Sequence, residues 1–127
     1  MKHINSSEPT VLISPSLYMG IDLKDDLSRF QIITKMPYPD LGDKWISRKK
    51  SSFDNKMEGE RWYAWQTSLR IVQAYGRSIR SKNDWAITYI LDSNFDWFIR
   101  KNTSLFPTWF LSAIKFKQIP KHPIRLF

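Results

Sequence analysis

Short β-branched runs alternate with helical stretches along this 127-residue chain, and few folds accommodate that order. Val11-Leu12-Ile13 is the first run, Phe30-Gln31-Ile32-Ile33-Thr34-Lys35 the second, and Trp85-Ala86-Ile87-Thr88-Tyr89-Ile90-Leu91 the third. Between the last two lie a short helical stretch at about residues 42–50 and a long one from about Glu58 to Ser78. Strands separated by helices pack as βα units around a parallel sheet. The pattern therefore predicts an α/β fold, with a mainly parallel sheet of about three or four strands flanked by helices. Pro37 and Pro39 close the second run, because proline cannot continue a central strand. After the third run, Asp92-Ser93-Asn94 reads as a turn, and Pro107 opens a last helix that reaches about Lys115.

The long helix is the most periodic part of the chain. Trp62, Trp65, Leu69 and Val72 recur at steps of three and four and line one face. Such a stripe is expected to be core, ahead of the other use of exposed aromatics, base stacking. Glu58 and Glu60 at the start suit the positive end of the helix dipole.

Charge and composition narrow the function. Lys and Arg number 20 against 12 Asp and Glu, a net charge of +8, which favours polyanionic partners such as nucleic acid or nucleotide phosphates. There is no cysteine, so disulfides, thiolate metal sites and cysteine nucleophiles are excluded within this sequence. Its two histidines, His3 and His122, stand near the two ends, and no metal site or Ser-His-Asp triad is expected. No apolar run approaches the roughly 18–20 residues of a membrane helix, and the first ten residues lack the apolar stretch of a signal peptide. The expectation is a soluble, cytoplasmic chain that does not engage a membrane.

One polar array stands out. Arg70, Gln73, Arg77 and Arg80 follow each other at steps of three, four and three, so they project in one direction if the helix persists. No Asp or Glu lies between Glu60 and Asp84 to neutralise them. The array is either a solvated basic face or an anion site with fork-shaped donors for phosphate oxygens. Gly76 favours the second: an exposed helix interior seldom holds glycine, which costs about 1 kcal/mol against alanine, unless something approaches closely. Arg48-Lys49-Lys50 is a solvated cluster or a set of phosphate contacts. Lys115, Lys117, Lys121 and Arg125 make the end of the chain basic, and Asp22 reads locally as a cap for a short helix near Lys24.

Gln73-Ala74-Tyr75-Gly76-Arg77-Ser78-Ile79-Arg80 resembles motif VI, Q-x-x-G-R-x-x-R, of superfamily 2 helicases, with all four fixed positions matched. Ser14-Pro15-Ser16-Leu17-Tyr18-Met19-Gly20-Ile21-Asp22 resembles motif V of the DinG/XPD-like branch, with Met19 where that branch often carries an acidic residue. Met36-Pro37-Tyr38-Pro39, Tyr89-Ile90-Leu91-Asp92 and Leu105-Phe106-Pro107 extend the likeness in the same order, with Asn94 where Arg is frequent.

The resemblance implies a partial RecA-like domain over residues 11–116, between an N-terminal tail of residues 1–10 and a basic tail of residues 117–127. It implies that Arg77 and Arg80 act as arginine fingers on a triphosphate, with Gln73 orienting the γ-phosphate or the attacking water. Gly76, Gly20 and Asp22 would then lie against the nucleotide, while Ser16, Arg48 and Lys49 would meet DNA phosphates, most simply those of a single strand. ATP and Mg would be held mainly by a first RecA-like domain, in cis or in trans. This sequence has no Gly-Lys dipeptide for a Walker A loop and no Asp-Glu-x-His. By itself it is therefore expected to hold no cofactor and hydrolyse no ATP. The alternative is a non-catalytic basic module, derived from a helicase, that binds nucleic acid or a partner.

Overall fold

The structure, a computed structural model, describes residues 8, 10–13, 29–76 and 85–117. Strand β1 (Phe30–Ile33) is followed by helices α1 (Lys44–Ser51) and α2 (Lys56–Tyr75), strand β2 (Ile87–Ile90), α3 (Asn94–Lys101), a 3-10 turn (Thr103–Leu105) and α4 (Thr108–Ala113). The two strands pair in parallel, with Gln31 opposite Thr88 and Ile33 opposite Ile90. The α/β class and parallel pairing expected from the alternating runs are both present. Among the described residues the sheet has two strands. Residues 11–13, expected as a further strand, take no strand conformation: Val11 and Ile13 are 79% and 88% exposed, and a strand needs a ladder partner.

The first two helices start where a side chain satisfies their unpaired N–H groups. Asp43 accepts from the Trp45 and Ile46 amides at 2.7 and 3.2 Å to begin α1, and Asn55 accepts from Met57 at 2.8 Å to begin α2. Pro107 stands one residue ahead of α4, where its carbonyl accepts from the Phe110 and Leu111 amides. Helix α3 went unread at the expected turn. Phe95, Phe98 and Ile99 at helical spacing are its signal, and all three are buried.

The core gathers Met36, Ile71, Phe95, Phe98, Ile99, Phe106 and Phe110 beneath one face of the sheet, with Ile90 packed against it. The expected core stripe of α2 holds at Val72, which packs against this core, and is corrected at its other positions. Trp65 and Leu69 are 44% and 37% exposed, while the buried positions are Gly59, Thr67, Ser68, Ile71 and Ala74. At 100° per residue, Trp65 and Leu69 lie about 120° and 160° round the helix from Ile71. Small residues on the inner face let α2 approach its neighbours closely. The Thr67 and Ser68 hydroxyls donate to the carbonyls of Tyr63 and Trp65, so burying them leaves no polar atom unpaired. Trp62 packs against Trp45 and Phe53 instead of the main core.

Two contacts fix the remaining geometry. Gly59 faces the α1 backbone so closely that an added Cβ would overlap the carbonyl oxygen of Lys50, whose ammonium pairs with Glu60 at 2.8 Å. Asp92 ties the ends of both strands, accepting from the Met36 amide at 2.9 Å and from the Asn94 amide at 2.9 Å. Those bonds hold its carboxyl below the ordinary aspartate value, with burial opposing weakly.

Gly59→Ala should lower stability by about 1–3 kcal/mol, because α1 must shift as a body to admit one methyl; the urea midpoint checks this. A folded-state pKa below the unfolded one gives stability that is present above about pH 4 and is lost as pH falls through the folded value. Wild type should therefore lose more stability between pH 5 and about pH 3 than Asp92→Asn, which starts lower by roughly 1 kcal/mol, as parallel urea titrations would show.

Candidate nucleotide and nucleic-acid site

The motif that begins at Gln73 is built on the last turn of α2. Gln73 is exposed there, and Gly76 follows as the C-cap, not as a residue of the helix interior. Its φ of −70° and ψ of −2° are open to any residue, so glycine is not required for backbone conformation. A Cβ at Gly76 would meet nothing within 4 Å. The space beside it is open to a group from outside the described residues.

The helix ends here because the sheet takes over its last carbonyls. Gln31, on the inward face of β1, donates through Nε2 to the Ala74 carbonyl at 2.9 Å and to the Tyr75 carbonyl at 3.3 Å. The same amide nitrogen donates to Thr88 Oγ1 at 2.7 Å, its register partner across the sheet. A helix C-terminus leaves four carbonyls without intrahelical donors, and with one Gln31 N–H directed at Thr88 the other is shared between two of them. The Gly76 amide closes the turn by donating to Val72 and Ala74. Gln31 was absent from the expected site; a polar residue amid Phe30, Ile32 and Ile33 is the signal that marks it.

Tyr38 and Tyr63 brace the middle of α2 against the Pro-Tyr-Pro loop. Their rings lie parallel with centroids 6.2 Å apart, and the Tyr63 hydroxyl donates to the Pro39 carbonyl at 2.7 Å. Burial raises both phenol pKa values. Arg70 does not extend outward with Gln73, because its guanidinium reaches back to the Tyr38 carbonyl at 3.4 Å.

The other described site residues, Arg48 and Lys49, are exposed on α1 beside Trp45. Gly59, against Lys50, and Gly76 are 17 residues apart on and just past α2, or about 25 Å at 1.5 Å per residue. The structure thus does not bring Arg48 and Lys49 together with Gln73 and Gly76. Arg77, Arg80, Ser16, Gly20 and Asp22 lie outside the described residues. Among the described residues no group of three or more His, Cys, Asp or Glu could hold a metal ion, and no helix is long and apolar enough to cross a membrane.

Residues 2–113 match the family model of the helicase C-terminal domain. The chain belongs to that family. This supports the likeness drawn from motif VI and places the chain with DinG/XPD-like superfamily 2 helicases. It is 30% identical over 105 residues to the Regulator of telomere elongation helicase 1 homolog of Caenorhabditis briggsae, covering 75% of this chain and 10% of that protein. The homologs of Aedes aegypti and Drosophila melanogaster are 31% and 30% identical over 83 residues, 60% of this chain and 8% of each relative. The chain thus spans about a tenth or less of the length of these relatives. No solved structure matches it.

For this helicase C-terminal domain, Gln31→Leu should cost about 1–3 kcal/mol, since it removes the side-chain donor that Tyr75, Ala74 and Thr88 share. Gln31→Glu should cost at least as much at neutral pH, because it sets a carboxylate against the same oxygens. Chemical denaturation of the two variants beside wild type measures both effects.

Proposed function

We propose that this chain is the part of a DNA helicase's second motor domain that delivers motif VI to a nucleotide held by a first motor domain. The observation that carries this reading is the placement of the Gln73 motif at the end of α2, where Gln31 and Thr88 anchor that end to the parallel sheet. A motif that reaches across to another domain needs such a rigid base. The open surround of Gly76 and the exposure of Gln73 fit a triphosphate approaching from outside.

ATP, when bound, supplies the phosphoryl group whose transfer drives unwinding; Mg belongs with it on the first domain. In this reading Arg77 and Arg80 bind the phosphate oxygens and stabilise the charge that develops on them, and Gln73 holds a water proton. Gly20 and Asp22 line the nucleotide side of the motif V loop. Ser16, Arg48 and Lys49 contact the phosphates of single-stranded DNA. Residues 11–116 form the working domain and residues 117–127 a basic tail. The apolar outer face of the sheet is consistent with a larger motor: Phe30, Ile32, Ile87 and Tyr89 are 48–58% exposed, whereas parallel sheets are ordinarily covered on both faces.

The test supplies a matching first motor domain and measures DNA-stimulated ATP hydrolysis. Arg77→Ala or Arg80→Ala should lower kcat about a thousandfold. Arg61→Ala, which removes an exposed charge elsewhere on α2, should leave turnover within about twofold. Equal losses in all three variants would overturn the arginine-finger assignment, leaving a non-catalytic basic module.

A further inference from the structure

Helix α1 carries a second feature that motif VI does not use. Its sequence, Lys-Trp-Ile-Ser-Arg-Lys-Lys-Ser, contains four cations and no acidic residue. One cation is structural: Lys50 pairs with Glu60 and lies 4.9 Å from the Tyr63 ring centroid. The other three, Lys44, Arg48 and Lys49, have no carboxylate partner among the described residues and line a shallow groove with Trp45 and Ser52. The adjacent Asp43 carboxylate is engaged by the Trp45 and Ile46 amides.

Trp45 is 63% exposed at the centre of this cationic frame. Its ring does not hang free. It meets Trp62 of α2 at 6.1 Å between centroids and 65° between planes, and Trp62 in turn packs on Phe53 at 6.2 Å. An edge contact of this kind fixes a ring's orientation while leaving much of its surface uncovered. Lys44 and Arg48 form one i,i+4 pair and Trp45 and Lys49 the neighbouring one, so the indole sits between cations on a single helical surface.

We infer that Trp45 is a base-stacking platform, and that Lys44, Arg48 and Lys49 hold the backbone phosphates on either side of the stacked base. The ligand class is single-stranded nucleic acid, because a paired base in a duplex has no free face to offer. Stacking on an aromatic ring within a cationic groove is the general means of binding single strands without sequence preference. An anionic lipid surface suits the groove less well. Membrane-surface helices insert an apolar face, whereas Ile46 is the one aliphatic residue of α1 and is already buried. This inference rests on the proposed nucleic-acid contacts of Arg48 and Lys49, and adds the base-reading element and Lys44 to them.

The test uses the full chain and fluorescein-labelled oligothymidylate of about 20 nucleotides, with anisotropy read across a salt series. Trp45→Ala should weaken binding about tenfold at every salt concentration, the loss of one base stack, without changing the salt slope. Trp45→Phe should recover most of that loss, and an abasic oligonucleotide should bind wild type and Trp45→Ala equally. Arg48→Ala with Lys49→Ala should reduce the slope of log affinity against log salt by about 1.4, two phosphate contacts on a single strand. If the double variant shows this drop while Trp45→Ala binds like wild type, the phosphate contacts stand and the stacking inference falls. If neither variant alters binding, the nucleic-acid reading of α1 falls with it. Binding of Trp45 to phosphatidylserine vesicles without binding to the oligonucleotide would assign the groove to lipid and overturn the inference. Circular dichroism melts of each variant separate loss of fold from loss of contact.

Discussion

The tie between Gln31 and the end of α2 is the interaction on which the arrangement of this domain turns. A 20-residue helix packed beside a sheet that has two strands among the described residues has two loose ends, and one of them must be placed where the Gln73 motif begins. Hydrophobic burial is non-directional and would allow α2 to slide along its axis. Hydrogen bonds are directional. The Gln31 amide meets two consecutive carbonyls of α2 and the hydroxyl of Thr88, so axial position and sheet register are set together.

Asp92 performs the matching task just past the C-terminal ends of the strands. It holds the loop that leaves β1 through Met36 and the start of α3 through Asn94. Between them, the two polar residues align a sheet whose described ladder is only four pairs long. A parallel pair of that length is marginal alone, and the aromatic core beneath it supplies the non-directional part of its stability.

Much of this was legible in the sequence, and the parts that were not have a common cause. Alternating runs revealed both strands and their parallel sense, Pro107 located the start of α4, and α1 falls within a few residues of the helical stretch expected at about residues 42–50. Periodicity found α2 and, in Val72, one residue that packs on the core, but Trp65 and Leu69 of the same stripe are exposed. Trp62, Trp65 and Leu69 carry the stronger apolar signal, yet close packing was served by Gly59, Ala64, Thr67, Ser68 and Ala74, which a scale that scores size and hydrophobicity ranks low. Gly76 was expected inside a longer helix but is the C-cap, because α2 ends at Tyr75, where Gln31 of β1 meets the Ala74 and Tyr75 carbonyls. Motif VI was recognisable by its spacing, and the family match supports it. The separation of Arg48 and Lys49 from Gln73 could only follow once the length and packing of α2 were known.

That separation gives α2 its physical meaning. Near its beginning the helix is gripped by α1 through the Gly59 contact, the Lys50–Glu60 pair and the packing of Trp45 on Trp62. At its end it is held by Gln31. In the middle, Tyr63 and Arg70 bind it to the loop that leaves β1. A hydrogen-bonded helix keeps a fixed rise per residue, so the separation of its two grips is set by the turns between them. Close packing at Gly59 removes the remaining slack, because the two backbones touch where a side chain would otherwise cushion them. Gly59, where α1 grips the helix, and Gly76, at the Gln73 turn, are therefore set about 25 Å apart by the rise of the helix between them.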